Sequence, residues 1–304
     1  MKVIVTGGSG MVGKNLREHT RAKDIELYTP DRRELDLSNK DSVAEYFQRE
    51  KPDAVIHAAG LVGGIQANIA APVQFLVENL QMGMNVILGA QGAGVEKLLN
   101  IGSSCMYPKS ATNPLNEDEI LAGSLEPTNE GYALAKITCS RLCTYISSMY
   151  GLQYKTVIPC NLYGRHDKFD PARSHMVPAV IRKISEAVIE GRDAVEVWGD
   201  GLSRREFMYA GDLADFLLIA LGKIETLPQN LNVGIGRDYS INDYYEVIAD
   251  VLGFKGSFVH DLSKPSGMSQ KLVNIEKLRA LGWRSTTSLA DGIAKTHEFY
   301  IKGA

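Results

Sequence analysis

The chain has 304 residues, of which 44% are hydrophobic and 23% charged, with a formal net charge of -3 at pH 7. This is the ordinary composition of a globular protein with one or two domains. Because charges of both signs are interspersed and no long basic run occurs, neither nucleic acid nor an anionic membrane is expected as the main partner, whereas a phosphate-bearing small molecule is.

The sequence shows no sign of export from the cytoplasm. No apolar run reaches the roughly 18 residues needed to span a bilayer, and the apolar run 3–5 is too short for a signal peptide. The four cysteines, Cys105, Cys139, Cys143 and Cys160, lack paired metal-ligand spacing. We therefore expect a reduced, cytoplasmic protein without a bound metal, in which Cys139 and Cys143 pack in the core from one helix.

Strand and helix patterns alternate through the first half of the chain. Short β-branched or apolar runs predict strands at Lys2–Thr6, Ile25–Tyr28, Ala54–Ala58, Lys97–Ile101 and Lys155–Pro159. Helices are predicted from the first glycines through Leu16 and at Ser42–Arg49, Val73–Gln91 and Tyr132–Tyr150. Such alternation is typical of βαβ units, so the predicted fold class is α/β, a Rossmann-type doubly wound parallel sheet.

The alternation breaks after Gly164. The segment Arg165–Arg205 is mixed and polar, Phe207–Leu221 resembles a return to the first domain, and from about Ser240 two helical stretches accompany a polar loop, Ser263–Lys271. We predict a nucleotide-binding domain of residues 1–165 with a return over about 207–235. Residues 166–206 and 236–304 are predicted to form a smaller C-terminal substrate-binding lobe that closes over a cleft.

Three glycines at three-residue intervals, Gly7, Gly10 and Gly13, separate the first strand from the first helix. Glycines permit a tight turn, let backbone N–H groups approach a pyrophosphate, and allow a helix to pack closely on a strand. Because this cluster directly follows a β-branched strand, it predicts a dinucleotide site. Its expected contacts are Gly7, Gly8, Ser9, Gly10, Met11, Val12 and Gly13.

The second strand is expected to end near the adenine ribose, where Asp31, Arg32 and Arg33 stand. An acidic residue there would hydrogen-bond a ribose 2′-hydroxyl, whereas an arginine would hold a 2′-phosphate. Both types are present, so these residues alone leave NAD and NADP open. Asp36 and Leu37 are candidates to flank the adenine.

A phenol and an ammonium are predicted on one helix face, because Tyr132 and Lys136 are four residues apart. A carbonyl reductase needs a proton donor at the oxygen while hydride reaches the carbon, and a neighbouring lysine is expected to lower the pKa of the phenol from about 10. Ser103 and Ser104 follow the strand that ends at Ile101, where a hydroxyl can hydrogen-bond the reacting oxygen. The combination predicts hydride transfer at a Ser103–Tyr132–Lys136 site.

Further motifs occur along the whole chain. They are Val62–Ile65, Gly102–Pro108, Glu126–Asn129, Asn161–Gly164, Ser174–His175 and Arg205–Phe207. With Tyr132 and Lys136, they resemble, essentially from end to end, the extended short-chain dehydrogenase/reductases that act on nucleotide sugars, and within these the GDP-L-fucose synthases. The resemblance implies an NADPH-dependent conversion of GDP-4-keto-6-deoxy-D-mannose to GDP-L-fucose, by epimerisation at C3 and C5 and reduction at C4.

Roles follow from the resemblance at the matching positions. Ser103, Tyr132 and Lys136 would serve hydride transfer, and Cys105 and His175 would serve the epimerisations as base and acid, since a thiolate and an imidazole can both act near neutral pH. The further cofactor contacts implied are Ser104, Lys136, Asn161, Leu162 and His175, with Pro108 beside the nicotinamide. The substrate contacts implied are Lys183, Trp198, Arg205 and Lys271, because cations suit a diphosphate and an indole offers an apolar face.

One position departs from the family pattern. Family members carry an arginine within the glycine loop, where this chain has Ser9, so Arg32 or Arg33 would have to hold a 2′-phosphate. We still expect NADP. By analogy with such reductases, Val73–Gln91 and Tyr132–Tyr150 are expected to pair with their copies in a homodimer.

Other functions remain to be distinguished. A 4,6-dehydratase would carry an acidic pair where this chain has Ser104 and Cys105, and a UDP-sugar 4-epimerase has no need for Cys105 with His175. A GDP-L-colitose synthase, which inverts only C5 of a 3,6-dideoxy 4-keto sugar, is the nearest alternative. A catalytically inert nucleotide-sugar-binding regulator on the same fold is a further alternative, because fold alone does not imply activity.

Overall fold

The structure, a computed structural model, describes residues 1–171, 174–264 and 268–303. The strands are β1 Lys2–Thr6, β2 Glu26–Tyr28, β3 Ala54–His57, β4 Lys97–Ile101, β5 Gln153–Pro159, β6 Asn161–Tyr163, β7 Ala194–Trp198, β8 Arg204–Arg205, β9 Phe207–Tyr209, β10 Asn230–Val233, β11 Tyr239–Ser240, β12 Ser257–Asp261 and β13 Gln270–Lys271. The helices are α1 Met11–Glu18, α2 Lys40–Glu50, α3 Ile65–Ala70, α4 Pro72–Gly92, α5 Glu130–Tyr150, α6 Met176–Glu190, α7 Ala210–Gly222, α8 Ile241–Leu252, α9 Glu276–Ala280 and α10 Leu289–Ile301. In the described part of the chain, no helix combines the length and apolarity needed to cross a membrane.

Six parallel strands form the main sheet, in the order β10-β5-β4-β3-β1-β2. The chain passes from β1 outward to β2 and then returns to β3 on the other side of β1. This reversal is the topological switch point of a doubly wound sheet, where the carboxyl ends of two strands open a crevice for a ligand. The predicted Rossmann-type α/β fold is confirmed.

Continuous apolar runs explain why these strands are central. Val3, Ile4 and Val5 of β1 and all four residues of β3 are buried, as expected for strands covered by helices on both faces. One core, which includes Val3, Val5 and Ile56, packs against α7, and another, which includes Ile4 and Val55, packs against α2 and α4. The sheet therefore fixes the carboxyl ends of β1, β3 and β4 at one edge.

A separate hydrophobic core lies outside this sheet. It is built mainly from α6, α8, β7 and β12, with Tyr163, Phe207 and Tyr209 from β6 and β9. β7 and β12 form a parallel pair, and β8 lies between β11 and β13 in a small three-stranded sheet. Val273, Ile275 and other side chains of this late region instead join the core of the main sheet.

The sequence-predicted elements of the first half all occur, with ends shifted by two residues or fewer. Phe207–Leu221 divides into the strand β9 and the helix α7. One of the six strands of the main sheet, β10, was not predicted from the sequence. The region after Ser240 contains three described helices rather than two, because the five-residue α9 is too short to show a periodic pattern. Residues 265–267 of the predicted loop Ser263–Lys271 lie outside the described residues.

Candidate active site

The glycine loop lies between β1 and α1, at the switch point of the sheet. Gly7 has φ 77°, and a Cβ there would lie 2.7 Å from the backbone of Ala59, so this turn requires glycine. A Cβ on Gly13 would lie 2.5 Å from the Cα of Gly8. Because glycine has no Cβ, α1 can approach the loop this closely. The N-cap residue, Gly10, offers no capping side chain, so the first N–H groups of α1 remain available to an anion.

The loop after β2 is organised around Asp31. Its Oδ1 accepts hydrogen bonds from the backbone N–H groups of Arg33 at 2.7 Å and Glu34 at 3.0 Å, and these bonds lower the pKa of the carboxyl. Arg32 and Arg33 are exposed and form no ion pair within 4.0 Å with any carboxylate of the described ranges. The Asp31 carboxylate thus accepts hydrogen bonds from the backbone of its own turn, whereas the guanidinium groups of Arg32 and Arg33 face solvent.

The two residues predicted to flank the adenine belong to the same loop. Asp36 accepts from the N–H and the hydroxyl of Ser38, at 3.0 and 2.7 Å, and these bonds lower the pKa of Asp36. The carbonyl of Leu37 accepts from Nδ2 of Asn85 on α4, at 2.9 Å. α4 therefore holds the loop against the main domain.

Ser103, Tyr132 and Lys136 are brought together at the carboxyl end of β4. Ser103 begins a single 3₁₀ turn just after the strand, and its hydroxyl lowers the pKa of the Tyr132 phenol on α5. Lys136 is buried one turn further along α5; its Nζ donates to the carbonyl of Ile101 at 2.9 Å and lies 5.8 Å from the centroid of the Tyr132 ring. The three side chains therefore form one connected cluster.

The electrostatics of Tyr132 differ from the sequence-based expectation. Burial raises the pKa of its phenol strongly, the charge of Cys105 raises it further, and only the hydrogen bond with Ser103 lowers it. Burial also lowers the pKa of Lys136, so this ammonium does not offset the cost of desolvation. The expected lowering of the phenol pKa by Lys136 is wrong for this state of the protein, and Tyr132 stands protonated at neutral pH.

Cys105 lies on the 3₁₀ turn that Ser103 begins, and it is partly exposed. Its backbone N–H donates to Oγ of Ser103 at 3.2 Å. Its Sγ receives two donors, Nδ2 of Asn129 at 3.4 Å and Nζ of Lys271 at 3.6 Å. The other three cysteines are buried, and Cys139 and Cys143 pack in the core as expected.

His175 is the N-cap residue of α6, beside the segment that follows β3. The carbonyl of Ser174 lies 3.5 Å from where a Cβ on Gly64 would be, so the loop after β3 and the start of α6 approach each other. Burial lowers the pKa of His175, and the charge of Lys168 lowers it further. The imidazole is therefore neutral near neutral pH.

The other predicted cofactor contacts surround the same edge of the sheet. Ser104 is buried on the 3₁₀ turn, and Pro108 follows shortly after it. Asn161 and Leu162 are half-buried on β6, and the amide of Asn161 donates to the carbonyl of Glu206 at 3.1 Å.

The predicted substrate contacts separate into two groups. Nζ of Lys183 lies 5.2 Å from the centroid of the Trp198 ring, and this indole is 49% exposed rather than part of the core. Arg205 on β8 and Lys271 on β13 are paired in register, and burial lowers the pKa of Arg205. Lys183 with Trp198 and Arg205 with Lys271 thus form two separate pairs, each of which contains a cation.

Residues 3–236 match the model of the NAD dependent epimerase/dehydratase family. The chain belongs to this family. It is 55% identical over 302 residues to a GDP-L-colitose synthase of Yersinia pseudotuberculosis, covering 99% of this chain and 98% of the relative. It is 48% identical over 302 residues to a GDP-L-fucose synthase of Azorhizobium caulinodans, covering 99% and 97%. A solved GDP-mannoheptose C4 reductase from Campylobacter jejuni with NADP bound superimposes with a TM-score of 0.89 at 32% identity, covering 99% and 98%.

Membership of the epimerase/dehydratase family confirms the resemblance predicted from the motifs.

The sequence analysis missed several residues that shape the site. Asn79 on α4 binds both backbone groups of Leu61, at 2.8 and 3.1 Å, and so fixes the loop after β3. Asn129 was noted only as part of a motif, and its contact with Cys105 had no sequence signal.

Glu206 is a further residue that the motif reading left without a role. Its side chain is fully buried and accepts from the N–H groups of Ile235, Gly236 and Val273 at 2.6 to 2.9 Å. Burial raises the pKa of this carboxyl to about 7 despite these three donors. Glu206 thereby ties β9 to the turn after β10 and to the residues after β13.

Proposed function

We propose that the chain is an NADP-dependent epimerase-reductase that converts GDP-4-keto-6-deoxy-D-mannose to GDP-L-fucose. The observation that carries the proposal is the position of Cys105 on the 3₁₀ turn that Ser103 begins, where its charge acts on the pKa of Tyr132. A reductase needs only the hydroxyl pair at the carbonyl oxygen, whereas a proton acceptor beside that pair serves chemistry at the neighbouring carbons. The GDP-L-fucose synthases among the relatives support the same substrate class.

Ser103 and Tyr132 would bind the C4 oxygen of the keto sugar. Hydrogen bonds to that oxygen stabilise the negative charge that develops when a proton leaves an adjacent carbon. Cys105 would remove the proton from C3 or C5, and His175 would return a proton from the other face. Because burial keeps His175 neutral in the ligand-free protein, it has to gain a proton before it can act as the acid.

The reduction would use the same two hydroxyl groups. NADPH, when bound, supplies the hydride. Tyr132, which its raised pKa keeps protonated, would donate a proton to the C4 oxygen, while Ser103 holds that oxygen in place. Lys136 is anchored to the carbonyl of Ile101 at the end of β4, so its ammonium is positioned for a cofactor ribose.

NADP rather than NAD is supported by the loop after β2. Asp31 is engaged by two N–H groups of its own turn, so it is poorly placed to accept from a ribose 2′-hydroxyl. Arg32 and Arg33 form no ion pair within 4.0 Å in the described part of the chain and can hold a 2′-phosphate, which compensates for Ser9 in the glycine loop. The solved neighbour with NADP bound agrees with this assignment.

The smaller lobe would hold the GDP portion of the substrate. Trp198 exposes an indole face beside Lys183, an arrangement suited to a base or sugar next to a phosphate. Arg205 offers a half-buried guanidinium for the diphosphate. We propose residues 1–165 and about 207–235 as the NADP domain and residues 166–206 and 236–304 as the substrate lobe, a division that the separate core of α6 and α8 supports.

A second candidate is a GDP-L-colitose synthase, favoured by the 55% identity to such an enzyme. That reaction differs in the substrate, which lacks the C3 hydroxyl, and in the number of inverted centres. Both candidates use the same Ser103–Tyr132 pair and the same thiol. The number of carbons that exchange their protons separates them.

The deciding experiment is NADPH oxidation with GDP-4-keto-6-deoxy-D-mannose in D₂O, followed by NMR of the product. We expect a GDP-6-deoxy-L-galactose product that carries deuterium at both C3 and C5. Deuterium at C5 only, or turnover only with the 3-deoxy ketosugar, would favour the colitose-type reaction. Tight binding of NADPH without oxidation by either sugar would reject both substrates.

We further propose that the enzyme is a homodimer formed through α4 and α5. Val73, Val77, Met84 and Leu88 form an exposed apolar stripe along α4. On the neighbouring α5, Leu134, Tyr145 and Met149 repeat the pattern. Contiguous exposed apolar surface on two packed helices is suited to a two-fold interface with a second copy.

Val77→Glu should convert the dimer to a monomer, because a charge at the centre of the stripe would be buried without a partner. Sedimentation velocity at micromolar concentration measures the change. Ile189→Glu is the matched control, since Ile189 is 80% exposed on α6, away from the stripe. A wild-type protein that sediments as a monomer would refute the proposal.

We also propose that the enzyme is cytoplasmic. All four cysteines are free thiols, as expected in a reducing compartment. Cys105 in particular must stay reduced to act as a base.

A further inference from the structure

A cavity of about 410 Å³ lies outside the candidate active site. Its wall is formed by the turn after β10, by α9 with the residues that follow it, and by aromatic residues of β6 and β9. Among the described residues, none that we propose for hydride transfer, epimerisation, cofactor binding or substrate binding lines it. Small-molecule sites have volumes of about 300 to 1,000 Å³. The cavity is therefore large enough to hold a ligand of its own.

Three arginines line this cavity, namely Arg237, Arg279 and Arg284. No aspartate or glutamate of the described ranges lines it, and none of the three arginines forms an ion pair within 4.0 Å there. An arginine side chain is not deprotonated in proteins. The wall therefore carries three positive charges that are not paired with a carboxylate of the described chain.

Gly236 lets Arg279 reach the backbone beside Arg237. Gly236 has φ 69°, and Nη2 of Arg279 lies 3.1 Å from the position that a Cβ on Gly236 would occupy. Arg237 lies over the Tyr239 ring, with its Cζ 4.7 Å from the ring centroid. One guanidinium group thus packs on a glycine and the next on an aromatic face. Because these contacts order both side chains in advance, less conformational entropy is lost when an anion binds.

Arg284 is held in place by the residues on either side of it. Nε1 of Trp283 donates to a carboxylate of α7 at 2.9 Å, and the hydroxyl of Ser285 donates to Asp212 of the same helix. The Asp212 carboxylate also accepts from the N–H and the hydroxyl of Thr287, at 3.0 and 2.7 Å. These hydrogen bonds fix the segment that carries Arg284 and keep the Asp212 carboxylate engaged with hydroxyl and N–H groups.

We propose that this cavity is a second anion site, which binds the phosphate groups of a small phosphorylated metabolite. A guanidinium group presents its N–H donors as a planar fork that matches phosphate oxygens, and such charge-assisted pairs are strong. Because like charges that share a cavity repel one another, a bound phosphate stabilises this arrangement. The rest of the wall, which includes Tyr163, Phe207 and Leu289, can accommodate the remainder of such a molecule.

The cavity adjoins the strand that carries a proposed ligand of the substrate diphosphate. Tyr239, whose ring packs against Arg237, is paired in register with Arg205 of β8. The experiment must therefore tell the two sites apart. Because it measures binding and not turnover, it gives an answer whether or not the proposed function holds.

The test is isothermal titration calorimetry with inorganic pyrophosphate, on protein saturated with NADPH so that the glycine loop is occupied. The wild type should bind pyrophosphate, and Arg279→Gln should weaken the binding by about 10-fold or more, the usual effect of losing a hydrogen bond to a charged group. The triple variant Arg237→Gln/Arg279→Gln/Arg284→Gln should lose the site. Thermal unfolding checks the fold of each variant, and the single variant keeps the test valid if the triple variant unfolds.

Three controls decide the assignment. Arg17→Gln removes an exposed arginine of α1 and should bind pyrophosphate as the wild type does. Arg205→Gln should also retain this binding, whereas binding that is lost in Arg205→Gln and kept in the triple variant would place the anion in the substrate site and overturn the proposal. Sodium chloride at the same ionic strength should produce no saturable binding heat. A wild type that does not bind pyrophosphate, or that responds equally to chloride, would likewise overturn it.

Discussion

Tyr132→Phe should reduce the rate of NADPH oxidation by about 10²- to 10⁴-fold, the usual contribution of a general acid. Phenylalanine keeps the ring, and with it the edge-to-face contact with Phe75 at 6.5 Å between centroids, but it removes the proton that the C4 oxygen needs. Steady-state oxidation of NADPH with the keto sugar measures the effect. NADPH binding should be unchanged, because the ring and Lys136 remain in place.

The pH profile gives a second test of Tyr132. Because burial and the charge of Cys105 raise the pKa of the phenol, the donor form persists through neutral and mildly alkaline pH. The wild-type reduction rate should therefore show no loss attributable to this group below about pH 10, the ordinary pKa of tyrosine. Tyr150→Phe, at an exposed tyrosine on the same helix, is the matched control, and turnover of Tyr132→Phe above one tenth of wild type would assign the proton to another group.

The parts of the fold that sequence could predict are those set by local pattern. The β-branched run of β1, the glycines that follow it and the spacing of Tyr132 and Lys136 each require a particular backbone or helix face. The strand β10 was not predicted because its Asn-Leu-Asn-Val pattern is short and half polar. Only its pairing with β5 makes it part of the sheet. Pro72 stands at the first position of α4 and Gly151 just past the end of α5, positions where these residue types are common.

The electrostatics of the site could not be predicted in the same way. The pKa of Tyr132 depends on how deeply α5 and the turn after β4 bury the phenol, and the four-residue spacing alone suggested the opposite direction. The contact of Lys271 with Cys105 joins segments 166 residues apart, through a strand of two residues. Such information comes from tertiary packing and has no local signature in the sequence.

Cys105→Ser should reduce the incorporation of solvent deuterium at C3 and C5 by about 10²- to 10⁴-fold while NADPH still binds. A serine hydroxyl has nearly the shape of the thiol, but an alkoxide is far harder to form than a thiolate, so serine is a poor proton acceptor. The site would therefore keep the donors Asn129 and Lys271 and lose the proton acceptor. NMR of the sugar incubated with enzyme and NADP in D₂O measures the exchange without reduction.

The same substitution separates the two halves of the proposed reaction. Ser103 and Tyr132 remain, so a residual reduction at C4 without epimerisation is compatible with the proposed roles, and its product would retain protons at C3 and C5. Cys143→Ser is the matched control, because that cysteine is buried on α5 and should leave exchange unchanged. Undiminished exchange in Cys105→Ser would place the base elsewhere.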